Sequence, residues 1–141
     1  GPSSLLLALM ASGLDGQHIS FHGYLPANKE ERQEKLRGLE VASRQGAGTQ
    51  IFIETPYRAA HMLSDILATC QDDTDICVAR NLTLATESVH TRKVREWKKI
   101  PPEPNRDPAV FLLRAAPVVA AVRGSRESRR GESPPRRRQR S

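Results

Sequence analysis

The feature that most constrains this chain is a regular exchange between two hydrophobic periods. Short apolar runs at Ile19–Tyr24, Thr49–Glu54, Asp75–Ala79 and Ala109–Leu113 alternate with stretches whose apolar residues recur at helical spacing. The first pattern is that of a strand, the second that of a helix with one buried face. Strands separated by helices predict an α/β class: a mixed sheet with flanking helices and at least partly parallel pairing.

Local signals set the boundaries. Pro26 closes the first strand, and Asn28 caps a charged helix that runs to about Gln45 and stops at Gly46-Ala47-Gly48. Leu36 and Leu39 are its chief apolar anchors, and Glu31 and Lys35 have favourable i,i+4 spacing, which predicts an outer, solvated helix. Pro56 opens a second helix whose Met62, Leu63, Ile66, Leu67 and Cys70 face a core. Asp72-Asp73 is a turn, and Glu87–Thr91 a short edge strand leading into a helix around Val94–Trp97. The loop Pro101–Pro108 delivers the final strand. Ahead of all this, Ser3-Ser4 and Gly13 bracket a helix, Leu5–Ser12, that is apolar almost all round and needs neighbours on several sides.

A chain of 141 residues is long enough to bury a real core. Its net charge of +6 is concentrated at one end, because Gly124–Ser141 holds seven Arg and two Glu. The body is nearly neutral, so the high isoelectric point belongs to the tail and says little about nucleic-acid binding by the fold. The expected division is an apolar helical segment over residues 1–13, a folded domain over 14–114, and a segment over 115–141 that ends in a disordered Arg-rich tail. Cys70 and Cys77 have no CxxC partner and read as small buried hydrophobes. Leu5–Met10 is too short to span a bilayer, and no cationic stretch precedes it as a signal peptide would require. A reduced, cytoplasmic protein without membrane association is expected.

Few side chains advertise chemistry. His18 and His22 lie four apart, but on a strand and without an evident third ligand, so no metal site is expected. His61 and His90 suit ordinary surface or half-buried roles, and there is no nucleophile elbow, phosphate loop or GxGxxG. The polar residues that stand out follow strand ends: Glu54-Thr55-Pro56-Tyr57-Arg58, Arg80-Asn81-Leu82-Thr83, and Arg114. Ligands of open α/β sheets bind outside the carboxyl ends of the strands, although turn chemistry alone also explains Thr55-Pro56 and Arg80. Thr91–Lys99 is basic with one aromatic residue, either a phosphate-binding surface or a solvated helix packed on Trp97.

The order of these motifs resembles the C-terminal part of the tetrapyrrole-methylase-like, S-adenosylmethionine-dependent methyltransferases, on the branch of the bacterial small-subunit (16S) ribosomal RNA ribose 2′-O-methyltransferase. The likeness is carried by Gly1-Pro2-Ser3-Ser4 with the following helix and Ser12-Gly13-Leu14, and by Phe21-His22-Gly23-Tyr24-Leu25-Pro26 with its Lys/Arg helix. Phe52-Ile53-Glu54-Thr55-Pro56-Tyr57-Arg58 and Ala79-Arg80-Asn81-Leu82-Thr83 with Glu87 complete it, covering about residues 1–114. Asn81 stands where the family commonly has an acidic residue.

The resemblance implies the second domain of a two-domain enzyme that holds S-adenosylmethionine between its domains, with 1–13 as inter-domain helix and cleft loop and 14–114 as the C-terminal methyltransferase domain. The abrupt start at Gly1 is then that of a truncated chain lacking an N-terminal domain. It implies cofactor contacts, largely main-chain, at Ser3, Ser4, Thr55, Leu82, Thr83 and Leu113. Arg58 and Arg80 are implied for acceptor phosphate or structural ion pairing. Glu54 and Glu87 are the nearest carboxylates, and no catalytic base is assigned. RNA is the implied substrate and a homodimer the implied assembly. The competing expectation is a non-catalytic module that binds nucleic acid through its basic tail by counterion release.

Overall fold

The structure, a computed structural model, describes residues 12–14, 18–81, 85–101 and 108–117. One sheet has the order β1 (Ile19–Tyr24), β2 (Thr49–Glu54), β5 (Ala109–Arg114), β3 (Asp75–Arg80), β4 (Ser88–Lys93). β1 and β2 are parallel and joined through helix α1 (Lys29–Ala42). β3 follows helix α2 (Ala59–Thr69), and β5 lies between β2 and β3, antiparallel to both. β1, β2 and β3 therefore share one direction. β4 pairs antiparallel with β3 and leads into a single helical turn, α3 (Val94–Trp97). The mixed sheet with flanking helices forms as the two periods predict.

Strand alternation sorts the core onto two faces. Phe52, Phe111, Ile76, Val78 and Leu113 meet Leu36, Leu39, Met62, Ile66 and Trp97 of the helical layer. The Phe52 and Phe111 rings stack with centroids 5.6 Å apart. Ile51, Cys77, Ala79 and Leu112 form the opposite face, with Leu14, Val89 and Val110 packed against them. Burial on both faces is why β2, β3 and β5 read as nearly unbroken apolar runs. Thr91 Oγ1 donates to the Ser12 carbonyl at 2.8 Å, tying residues 12–14 to β4. The rest of the expected first helix and the expected disordered tail lie outside the described residues.

The charged helix α1 corrects one expectation. Asn28 does cap it, its side chain accepting from Glu31 N at 3.0 Å. Its buried stripe, however, is Arg32, Leu36, Leu39 and Glu40, so half of the anchoring is ionic and not solvated. Glu40 accepts from Gln71 N at 2.7 Å and Thr74 Oγ1 at 2.5 Å, clamping α1 to the turn before β3. The helix then relaxes into a π turn, Ser43–Ala47, where Ser43 Oγ accepts from Ala115 N at 2.9 Å beyond the end of β5. Counting apolar residues misses such anchors, because a buried charge is stabilised by partners distant in sequence.

Both cysteines are free and buried, as expected of small hydrophobes. Burial pushes the Cys70 thiol from its ordinary 9.0 to about 12, with Glu40 adding to the rise and Arg44 opposing it. Burial raises Cys77 as well, against a hydrogen bond with Thr91. The fold favours the neutral thiol, so its stabilising contribution is complete below the ordinary value of 9.0 and is lost as pH rises towards about 12. At pH 8 an aromatic disulfide reagent should label neither cysteine in the folded chain and both in urea. Rapid labelling of the native protein would contradict the burial.

Candidate cofactor and substrate site

Because β1, β2 and β3 share a direction, their carboxyl ends meet at one end of the sheet. Cross-strand pairing puts Glu54, Ala109, Arg80 and Ser88 in one row there, and Thr55 and Asn81 follow as the next residues of their chains. Glu87 precedes Ser88 at the same end. Two expected loci, the Glu54–Arg58 turn and the Arg80–Asn81 corner, are thus brought together with the backbone of Ala109 between them.

Each locus has a local cause. Glu54 is buried, and its Oε1 accepts from Thr55 N at 2.8 Å and Thr55 Oγ1 at 3.3 Å. Arg58 N donates to Thr55 O at 3.0 Å, closing a tight turn, and Arg58 O accepts from Met62 N at 2.9 Å to start α2. The helix starts at Ala59 and not at the expected Pro56, because the Thr55–Arg58 turn comes first and Arg58 takes φ −112 and ψ −6 ahead of it. Thr55, Tyr57 and Arg58 are exposed. On the neighbouring strand, Arg80 is half-buried and Asn81 takes φ 52, unlike every other described residue except glycine. Asn tolerates the left-handed region at modest cost, and such corners recur where backbone is presented to ligands.

Leu113 is not brought to this end. β5 is antiparallel, so Leu113 pairs with Gln50 and Ile76 at the far end of the sheet and is fully buried. Arg114 stands beside Asp75, also far from Thr55. Both would reach the site only if every strand ran the same way. The residue of β5 that does reach the site is Ala109, whose methyl side chain carries no chemical signal in a sequence. Ser3, Ser4, Leu82 and Thr83 lie outside the described residues.

The remaining candidates make contacts within the fold. His22 Nε2 lies 2.6 Å from Gln50 Oε1, a contact across the β1–β2 edge. Among the described residues no three His, Cys, Asp or Glu side chains group as metal ligands. The basic stretch is split between β4 and α3 and is partly committed. The Arg92 guanidinium carbon lies 4.6 Å from the centre of the Trp97 ring, and Lys93 and Lys98 meet Asp75 at 3.3 Å and Asp72 at 2.8 Å. The Lys98 hydrogen bond holds the Asp72 carboxyl below its ordinary value. Trp97 Nε1 donates to Ile76 O at 2.9 Å, fixing the indole against β3. No helix among the described residues is long and apolar enough to cross a membrane.

Comparison with known proteins agrees with this topology. No family model matches the chain. It is 35% identical over 96 residues to ribosomal RNA small subunit methyltransferase I of Vibrio cholerae, covering 68% of this chain and 32% of that protein. Against the protein of the same name from Escherichia coli O157:H7 the identity is 33% over 102 residues, 70% of this chain and 34% of the relative. The chain thus spans about a third of the length of the curated relatives it matches. Among solved structures, the methyltransferase CobJ superposes with a TM-score of 0.53 at 20% identity, over 78% of this chain and 46% of that one, a likeness of fold. By sequence the matched stretch resembles the ribosomal RNA small subunit methyltransferase I proteins, and by fold it resembles the methyltransferase CobJ.

Proposed function

We propose that this chain forms one wall of the S-adenosylmethionine cleft of an RNA methyltransferase, acting on a ribose 2′-hydroxyl of ribosomal RNA. The observation that carries the reading is the meeting of the Thr55 turn, the left-handed Asn81 corner and the small Ala109 at one sheet end. The names of the relatives supply the substrate class.

The residues at this end suit the cofactor. A nucleoside laid across strand ends needs backbone groups and little side-chain bulk, and Thr55, Asn81 and Ala109 offer that. Thr55 and Asn81 are presented by turns that Glu54 and the Asn81 backbone hold in place. Ala109 replaces Leu113 in the proposed contact set, beside Ser3, Ser4, Leu82 and Thr83. When bound, S-adenosylmethionine supplies an already activated methyl group, so the chain's own task is alignment and exclusion of water. Arg80 stands in the row and Arg58 in the turn that follows Glu54, and both are assigned to the acceptor phosphate. Glu54 is assigned to positioning, because its Oε1 is engaged by Thr55. The opposite wall is assigned to a separate N-terminal domain.

Isothermal titration with S-adenosylhomocysteine tests this directly. The chain alone should bind at least a hundredfold more weakly than the chain fused behind the N-terminal part of the Vibrio cholerae relative. A folded fusion that fails to bind would sink the proposal. A Thr55→Pro change removes the Glu54-bound N–H, and should lower the affinity of the fusion about tenfold.

A further inference from the structure

Beyond the strand-end row, a cavity of about 270 Å³ opens between α2 and the segment that follows α3. Leu63, Leu67, Trp97 and Ile100 line it with apolar surface, and Arg80 and Lys98 contribute two cations. No carboxylate is among its described lining residues. Arg80 belongs both to this cavity and to the cross-strand row with Ala109 and Glu54, so the cavity adjoins the proposed methyl-transfer site.

Its size and lining narrow the occupant. The volume falls just under the range of about 300–1,000 Å³ typical of drug-sized ligands, so one ring system fits and a whole dinucleotide-sized cofactor does not. The indole is held in place, Nε1 bound to Ile76 O and Arg92 packed over the ring. Lys98 meets Asp72, but both side chains are exposed, and an exposed ion pair is weak enough to yield to a phosphate. An aromatic and aliphatic slot beside cations is the surface on which single-stranded nucleic acid is held, base inside and phosphate at the rim.

We infer that this cavity receives one unpaired nucleotide of the RNA substrate, its base among Leu63, Leu67, Trp97 and Ile100 and its phosphate against Arg80 and Lys98. The inference rests on the RNA methyltransferase reading and gives it a place where a nucleotide is held outside the duplex. A base seated there has left its helix, so the site selects looped or single-stranded RNA over paired RNA.

Trp97 is the one tryptophan of the chain and it lines this cavity, so its fluorescence reports on what enters there. The full chain is titrated with a short single-stranded oligoribonucleotide, the same sequence as a duplex, cytidine 5′-monophosphate, and an acidic peptide of equal charge. Saturable quenching by the single strand, at least tenfold tighter than by the duplex, is expected, with weaker quenching by the mononucleotide. Ser64 is exposed on α2 at the cavity rim, and Ser64→Phe fills the space without disturbing the core. It should weaken the single-strand signal at least tenfold, as should the exposed Lys98→Glu, both at an unchanged urea midpoint. Equal quenching by duplex and single strand, equal affinity in both variants, or stronger quenching by the peptide would each overturn the inference.

The two readings fail separately. A fusion that binds S-adenosylhomocysteine while its Trp97 ignores RNA removes the cavity and leaves the methyltransferase. Single-strand quenching in a fusion that does not bind S-adenosylhomocysteine removes the methyltransferase reading, and with it the assignment of that RNA as a substrate.

Discussion

Replacing Gly48 with alanine is expected to cost about 2–6 kcal/mol of folding free energy, from backbone strain and overpacking of about 1–3 kcal/mol each. Gly48 ends the π turn at φ 83 and ψ −148, a region open to glycine and closed to side chains. An added Cβ would lie 2.0 Å from the His18 carbonyl oxygen and 2.6 Å from His18 Cβ. That oxygen accepts from Thr49 N at 2.8 Å, at the start of the parallel β1–β2 pairing. The methyl group therefore either breaks the pairing at its first rung or moves β1 bodily. Domains are stable by about 5–15 kcal/mol in total, so the change takes a large share of the margin. Gly38→Ala is the control, since Gly38 lies inside α1 and a Cβ there meets nothing within 4 Å. It should stabilise by about 0.5–1 kcal/mol through helix propensity. Urea unfolding should show opposite signs for the two variants. A Gly48→Ala chain as stable as the parent would refute the close approach.

Features that depend on near neighbours are legible in residue order alone. The Asn28 cap, the β2 run Thr49–Glu54 and the core stripe of α2 are of this kind. Features set by distant partners are not. The direction of β5 depends on how the chain returns between β2 and β3, and an apolar strand reads alike in both directions. Leu113 reads as a neighbour of Thr55 and Arg80 for that reason, while Ala109, which stands beside Glu54 and Arg80, has nothing in its side chain to draw notice. That Thr55 and Arg80 share one sheet end is legible because polar residues at the end of an apolar strand are conspicuous and β2 and β3 do run in the same direction. The burial of Arg32 and Glu40 is hidden for the same reason as the direction of β5, since Asp65 and Thr74 lie more than thirty residues away.

Asp65→Ala shows what that hidden charge does, with an expected loss of about 3–5 kcal/mol. Arg32 Nε donates to Asp65 Oδ2 at 2.6 Å, and both side chains are largely buried, at 10% and 7% exposure. Gln33 Nε2 adds a bond to Asp65 Oδ1 at 3.2 Å, so two residues of α1 converge on one carboxylate of α2. Removing the carboxylate leaves a buried guanidinium with only the carbonyls of Ala27 and Pro26 to satisfy it, at 2.8 and 3.4 Å. A loss of under about 1 kcal/mol, the level of an exposed pair, would show that water reaches the site. The double change Arg32→Met with Asp65→Leu removes both charges and should restore stability to within about 1 kcal/mol of the parent or exceed it. What it should not restore is register. Leu36, Leu39, Met62 and Ile66 share one apolar cluster whose contacts are not directional, whereas the ion pair favours one alignment of α1 on α2. The N-terminal end of α2 continues from the Thr55–Arg58 turn, so a shift along α2 moves the strand-end site. In the two-domain fusion, the double variant should therefore unfold like the parent yet bind S-adenosylhomocysteine several-fold more weakly. Parent-like affinity in that variant would limit the pair's role to stability.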